Sequence, residues 1–348
     1  MKELEWQIPE GSLFYVRHGS GAEITRYNGL AGQVVIPVEL PLETGTGSNG
    51  EARLGKVSAE TGAGSGENER AVEPSLETGV GSIADAQPAD VPCGRVTSVA
   101  KKAFLSKKYL RSVAVPAGVE EVGDWAFAYC DALREISFAG REVRFGKDVF
   151  KECRNLRCVR FDEGETCEGT GALVAAAVTQ MDASYLLNSK EAGSSEWLEK
   201  WDARMLAILR AADDEGYSKQ ILCGEEDYES ADLETYLKNS RKKKVRLLLL
   251  RLYWSMGLDP ALQDQLKKYL LAHSKGCRTD ETWQVIRDEC GDRREFYELF
   301  ARLGCLTREN APLVIAETRE DCPEMKAFFL KYQADHFAQA DYFADMEL

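Results

Sequence analysis

With only three histidines in 348 residues, any chemistry this chain performs must draw on its cysteines, its acids or its glycine loops. His18, His273 and His336 lie far apart and form no His-Glu-x-x-His pair, and the ten cysteines include no Cys-x-x-Cys. Structural zinc asks for four such ligands, usually supplied in closely spaced pairs, so no metal site is expected. Cys130 and Cys153 occupy matching places in a repeated unit and read as small thiols buried in a core rather than as ligands. Gly45-Thr46-Gly47-Ser48-Asn49-Gly50 spells G-x-G-x-x-G, which cradles a pyrophosphate only where a strand enters it and a helix leaves it. Here it sits in a low-complexity stretch. Gly50 to Lys56 approaches a P-loop, but Val57 occupies the place of the magnesium-binding hydroxyl. No cofactor is expected from either motif. No Ser-His-Asp or Cys-His spacing marks a nucleophile, so no catalytic residue is assigned and a non-enzymatic protein is expected.

Charge narrows the partners. A formal net charge of −14 disfavours nucleic acid, whose phosphates need a basic face, and disfavours anionic membranes. The basic cluster Arg241-Lys242-Lys243-Lys244, with Arg246, offers a face for an acidic partner or for the acidic segment 42–92 of this chain. Its plainer reading is a solvated helix face. The apolar run Leu247 to Leu258 is interrupted by Arg251 and is too short to cross a bilayer. The first ten residues contain no apolar signal region, so a cytoplasmic protein with reduced thiols is expected.

The elements that would carry a binding surface announce themselves by repetition. Ala103-Phe104, Ala126-Phe127 and Val149-Phe150 recur at one constant interval, a 23-residue period. Each Phe is preceded at five residues by Val99, Val122 or Phe145. It is followed at six by Leu110, Leu133 or Leu156, at nine by Val113, Ile136 or Val159, and at eleven by Val115, Phe138 or Phe161. Such a unit, a short strand plus a turn, cannot bury its apolar side alone; stacked copies place like residues over like. Val119 to Ile136, the phrase Val113-Ala114-Val115-Pro116, and the opening segments Ala22 to Gly29 and Val34 to Pro37 resemble the BspA-like leucine-rich repeats of bacterial proteins. The resemblance covers about residues 12–40 and 95–161, and implies a β-solenoid that binds proteins, or a surface adhesin. In the third copy Ile136-Ser137-Phe138-Ala139 lacks the proline and Val143 falls one position off register.

Residues 42–92 break this array with a 17-residue tandem repeat (Leu42-Glu43-Thr44-Gly45, Ala59-Glu60-Thr61-Gly62, Leu76-Glu77-Thr78-Gly79). They hold nine glycines, nine acids, three bases and no aromatic residue. A segment so poor in apolar surface cannot offset its ordering entropy, and it reads as a disordered acidic insertion. From about Gly171 the pattern turns helical: Trp197, Leu198, Trp201, Met205, Ile208, Leu209 and Ala212 share one face. Gly257 with Asp259-Pro260, and Gly291-Asp292, mark helix ends and starts. Tyr269 to Thr279 is echoed by Tyr297 to Thr307, and Glu309 to Phe337 resembles a divergent terminal unit of an ankyrin-like array.

The expected architecture is an α+β repeat protein. A short BspA-like leucine-rich-repeat β-solenoid is followed by an all-α helix-pair stack that covers its open end. Four segments are expected: 1–41 capping strands, 42–92 insertion, 93–168 repeats and 169–348 helical repeats. The expected role is protein–protein interaction with a partner and oligomeric state that the residues do not name. Cell-surface adhesion and an enzyme site within the helical half stand as the alternatives.

Overall fold

The 23-residue spacing returns as hydrogen-bond register in the computed structural model, which describes residues 2–19, 21–41, 93–161, 169–218, 232–291 and 293–337. The first sheet runs β1 (Leu4–Ile8), β2 (Gly11–His18), β3 (Gly21–Asn28), β6 (Cys93–Val99), β8 (Glu121–Val122) and β10 (Arg144–Phe145), with β5 (Glu39–Pro41) also pairing β6. The second contains β4 (Gln33–Val35), β7 (Ser112–Val115), β9 (Glu135–Phe138) and β11 (Cys158–Arg160), all parallel. Ser98 pairs with Glu121 and Glu121 with Arg144; Ser112 pairs with Glu135 and Glu135 with Cys158. Each step is one repeat. Residues alternate buried and half-exposed along β7 and β9, because successive side chains of a strand face opposite ways.

The turn between the two sheets carries its own ladder. Tyr27, Phe104, Phe127 and Phe150 stack with ring centroids 5.3, 4.9 and 5.9 Å apart. Burying one such ring is worth about 1.5–3 kcal/mol. Backbone amides of alternate turn residues donate to the next repeat. Lys102, Phe104 and Ser106 reach the carbonyls of Asp124, Ala126 and Ala128 (3.0, 2.7 and 2.9 Å). Trp125, Phe127 and Tyr129 reach those of Lys147, Val149 and Lys151 (3.0, 3.0 and 2.7 Å). To aim these amides, the residues two before and two after each Phe adopt positive φ: Lys102 and Ser106, Trp125 and Tyr129, Asp148 and Glu152. Left-handed backbone costs a non-glycine residue about 1–2 kcal/mol, which the inter-repeat bonds offset. Like-for-like ion pairs such as Lys108–Asp131 (2.5 Å) and Arg144–Glu121 (3.4 Å) decorate the outside.

The two opening segments fall in different sheets. Ala22 to Gly29 forms most of β3 in the first sheet, beside β6, while Val34 and Val35 belong to β4 in the second, beside β7. They thus make a first repeat, with Tyr27 as its aromatic rung, joined to the later ones on the far side of residues 42–92. That segment, with its proposed disorder and both glycine motifs, lies outside the described residues.

Among the described residues eight α-helices follow: α1 (Thr170–Thr179), α2 (Ser195–Arg210), α3 (Leu233–Tyr253), α4 (Pro260–Ala272), α5 (Glu281–Glu289), α6 (Arg294–Arg302), α7 (Ala311–Glu317) and α8 (Pro323–Phe337). The fold is therefore α+β, a β-rich repeat region followed by helices. Helix α1 is buried almost throughout because it packs on β11 and is itself covered by later helices. A Cβ added at Gly171 would lie 3.1 Å from both the Cys158 sulfur and the Val159 carbonyl oxygen. Trp197 and Trp201 of α2 are fully buried and donate their indole N–H to the Leu186 and Leu173 carbonyls (2.9 and 3.0 Å). Met205 continues their buried face, Ile208 and Leu209 are half-buried, and Ala212 is exposed past the helix end. Gly257 and Gly291 have positive φ at helix ends, and Asp259 caps α4 by accepting from Leu262 (3.0 Å). Helix α6 starts at Arg294, one residue later than a cap at Asp292 would set.

Candidate binding site at the end of the repeat ladder

An array of repeats must end, and its last unit leaves three edges to be satisfied. The second sheet's edge, β11, lies under α1. The first sheet's last edge is met by Ser189, which is buried: its hydroxyl accepts from the Val143 amide (3.1 Å) and donates to the Arg141 carbonyl (2.9 Å). That contact holds Val143 buried although the third copy slips there by one residue. The turn ladder receives no such cover. The amides of Asp148, Phe150 and Glu152 occupy the places of the donors at Trp125, Phe127 and Tyr129, and none has an acceptor among the described residues.

These amides belong to residues lining a cleft of about 340 Å³ between the last turn (146–154), the segment from the end of α1 to residue 187, and α3. On the facing wall, the Gln180 side-chain oxygen is buried without a hydrogen-bond partner. Lys243 of α3 also lines the space. Burial pushes its ammonium below the usual lysine range, nearby Arg204 adds to this, and Asp182 partly opposes it. Glu152 is held by Arg154 at 3.0 Å. The arrangement offers donors on one wall, an acceptor on the other and a cation alongside; it suits a polar ligand with alternating carbonyl and amide groups.

The remaining sequence candidates fall elsewhere. Cys130 and Cys153 are buried core thiols, as their spacing suggests, and each donates to a carbonyl of the preceding repeat: Cys130 to Phe104 (3.1 Å) and Cys153 to Phe127 (3.0 Å). Burial pushes the Cys130 thiol up to about 11 and Cys153 to about 12. No group of three metal-ligating side chains occurs among the described residues. His18 is exposed near the edge of β2, His273 sits half-buried beside Thr279 with its pKa lowered by burial, and His336 stacks on Tyr332.

Four of the five cations of the basic cluster are paired within the chain, and the fifth, Lys243, lines the cleft. Arg241 pairs with Asp213 (2.8 Å) and Glu281 (3.4 Å), Lys242 with Asp288 (3.7 Å), Lys244 with Asp213 (2.7 Å), and Arg246 with Glu289 (2.5 Å). It ties α3 to α5 and to the end of α2. Sequence reading missed this because the acids lie tens of residues away. It also missed the role of Arg251, which is fully buried and grips Asp202 with two nitrogens (2.6 and 3.0 Å).

Residues 90–182 match the family model described as "BspA type Leucine rich repeat region (6 copies)". The repeat region is of the BspA type. The match runs past the last strand and through α1, so the BspA-type segment includes part of the cleft's capping wall; Leu173, one repeat length beyond Phe150, falls inside it. Similar solved structures include a leucine rich cell surface protein from Faecalibacterium prausnitzii A2-165 (17% identity, 45% of this chain and 30% of that one, TM-score 0.27). Others are leucine-rich repeat proteins from Bacteroides ovatus ATCC 8483 (15%, 44% and 28%, TM-score 0.28) and T. pallidum (22%, 41% and 55%, TM-score 0.21). The chain spans less than a third of the length of the first two. No curated protein matches it.

Proposed function

We propose that this chain is a non-enzymatic protein-interaction module. Its BspA-type repeats would form a short solenoid, and the helices from residue 169 onward a stack of helix pairs with ankyrin-like turns. One observation carries the reading: the parallel register locks outward side chains of successive repeats into straight rows. Val35 stands beside Ala114, Ala114 beside Ser137 and Ser137 beside Arg160. Val35 and nearby Val38 are more than half exposed, and the small Ala114 and Ser137 that continue the row toward Arg160 leave a flat, rigid face. Rigid faces bind with little ordering cost, which suits them to hold another protein. The helix pairs are supported by Gly276 and Gly304, which hold matching places in the two echoing segments, both at positive φ (82° and 80°) just after α4 and α6. A reducing compartment suits the thiol hydrogen bonds of Cys130 and Cys153. The test is affinity capture with the full chain and with a variant carrying Ala114→Arg and Ser137→Arg. A protein retained by the first and released by the second supports the reading; equal retention by both, or none by either, overturns it.

A further inference from the structure

The ladder of turn amides is directional. In every internal repeat the N–H groups at alternate residues point toward the following unit and meet the carbonyls of alternate residues there. At the last turn the same three donors persist, held in place by the same positive-φ residues Asp148 (52°) and Glu152 (55°), but the next unit is replaced by a cleft. Phe150 is buried and Asp148 and Glu152 are half-buried, and an amide withdrawn from water costs about 1–3 kcal/mol unless water or a ligand takes the missing partner's place. Three such donors on alternate residues that line one cleft make a template rather than a defect.

We propose that this cleft holds a peptide segment of a partner protein, lying along the last turn with the carbonyls of alternate residues on the Asp148, Phe150 and Glu152 amides. The assignment rests on the interaction-module reading and gives it a second, separate contact. Three features select a peptide. The donors fall on alternate residues over a five-residue stretch, which a polypeptide's alternate carbonyls match and a single phosphate or sulfate cannot span. The facing Gln180 oxygen accepts, and a peptide backbone brings N–H groups between its carbonyls. Lys243 lines the cleft and makes no ion pair with any described residue, so a segment carrying an Asp or Glu side chain is favoured. The bound segment thus stands in for one more repeat, as strand addition does at an open sheet edge.

The test uses the full-length protein and a phage-displayed library of linear dodecapeptides. Enriched peptides, made synthetically, are titrated while amide exchange is followed residue by residue. The expected result is slowed exchange at Asp148, Phe150 and Glu152 on binding, with affinity reduced at least about tenfold by Ser184→Trp, which fills the cleft from an exposed position. The same affinity is expected to survive Tyr185→Ser, a change of the exposed neighbour outside the lining. Peptides that protect other amides would overturn the cleft assignment while leaving the module reading standing. A library that yields no binder overturns it, as does equal protection of the three amides by inorganic phosphate alone. Amides already slow in the free chain that become fast when residues 42–92 are deleted would give the row to this chain's own segment, which also overturns it.

Discussion

Replacing Phe127 by Ala tests the stacked ladder where it is most constrained. The ring is fully buried and lies between Phe104 at 4.9 Å and Phe150 at 5.9 Å. Truncating a buried Phe costs about 3–5 kcal/mol, the larger values arising where neighbours cannot collapse into the space. Here the turns that carry both neighbours are bonded to the Phe127 turn, through the Phe104 amide to the Ala126 carbonyl and the Phe127 amide to the Val149 carbonyl, so the upper part of that range is expected. Phe150→Ala is the internal comparison. Its ring meets one ladder partner and borders the cleft; with one aromatic contact fewer, its loss is expected to be smaller by about 0.5–1.5 kcal/mol. Urea titration followed by far-ultraviolet circular dichroism reads both values. Equal losses for the two variants, or a Phe127→Ala loss near 1 kcal/mol, would refute the stack. Tyr27→Ala extends the test across residues 42–92: if Tyr27 is the first rung, the repeats beyond Phe104 lose stability with it.

Three further outcomes follow from buried polar groups. Arg251→Met strands the Asp202 carboxylate beside apolar surroundings and is expected to cost about 3–5 kcal/mol, whereas Arg251→Met with Asp202→Leu recovers most of that loss; a double variant as unstable as the single one contradicts the pair. For Asp213, burial pushes the pKa up, but hydrogen bonds from Lys244 and Arg241 outweigh it and hold the carboxyl below the usual range. A lowered folded pKa contributes stability above the unfolded carboxylate range, lost as pH falls through the folded value. Acid titration of stability is therefore expected to be shallower in Asp213→Asn. With thiols raised to about 11 and 12, Cys130 and Cys153 are expected to resist iodoacetamide at pH 8 in the folded chain, while exposed Cys93 and Cys277 react; mass spectrometry of the labelled peptides decides.

Much of the repeat region was legible because its information is local and periodic. Phe104, Phe127 and Phe150, with their Leu and Val companions, fall into register by counting alone. Tyr27 escaped because residues 42–92 separate it from its stacking partner, and because a Tyr whose hydroxyl reaches the Glu10 carbonyl (2.7 Å) does not look like a Phe rung. The basic cluster misled for the opposite reason. A run of cations looks solvated until Asp213, Glu281, Asp288 and Glu289 are brought to it by helix packing. The cleft joins 146–154, 178–187 and Lys243, three stretches with no shared motif. Its functional signal is the absence of a following repeat, which counting rungs to Phe150 could have shown.

Residue-resolved amide exchange in the free, full-length protein tests the account most directly. The amides of Trp125, Phe127 and Tyr129 donate to the following repeat, while those of Asp148, Phe150 and Glu152, their counterparts one repeat on, have no acceptor among the described residues and belong to the cleft lining. The first three are expected to exchange about a hundredfold or more slower than the last three. Matched protection of the two sets would mean that the ladder does not end open at Phe150, and would contradict the account.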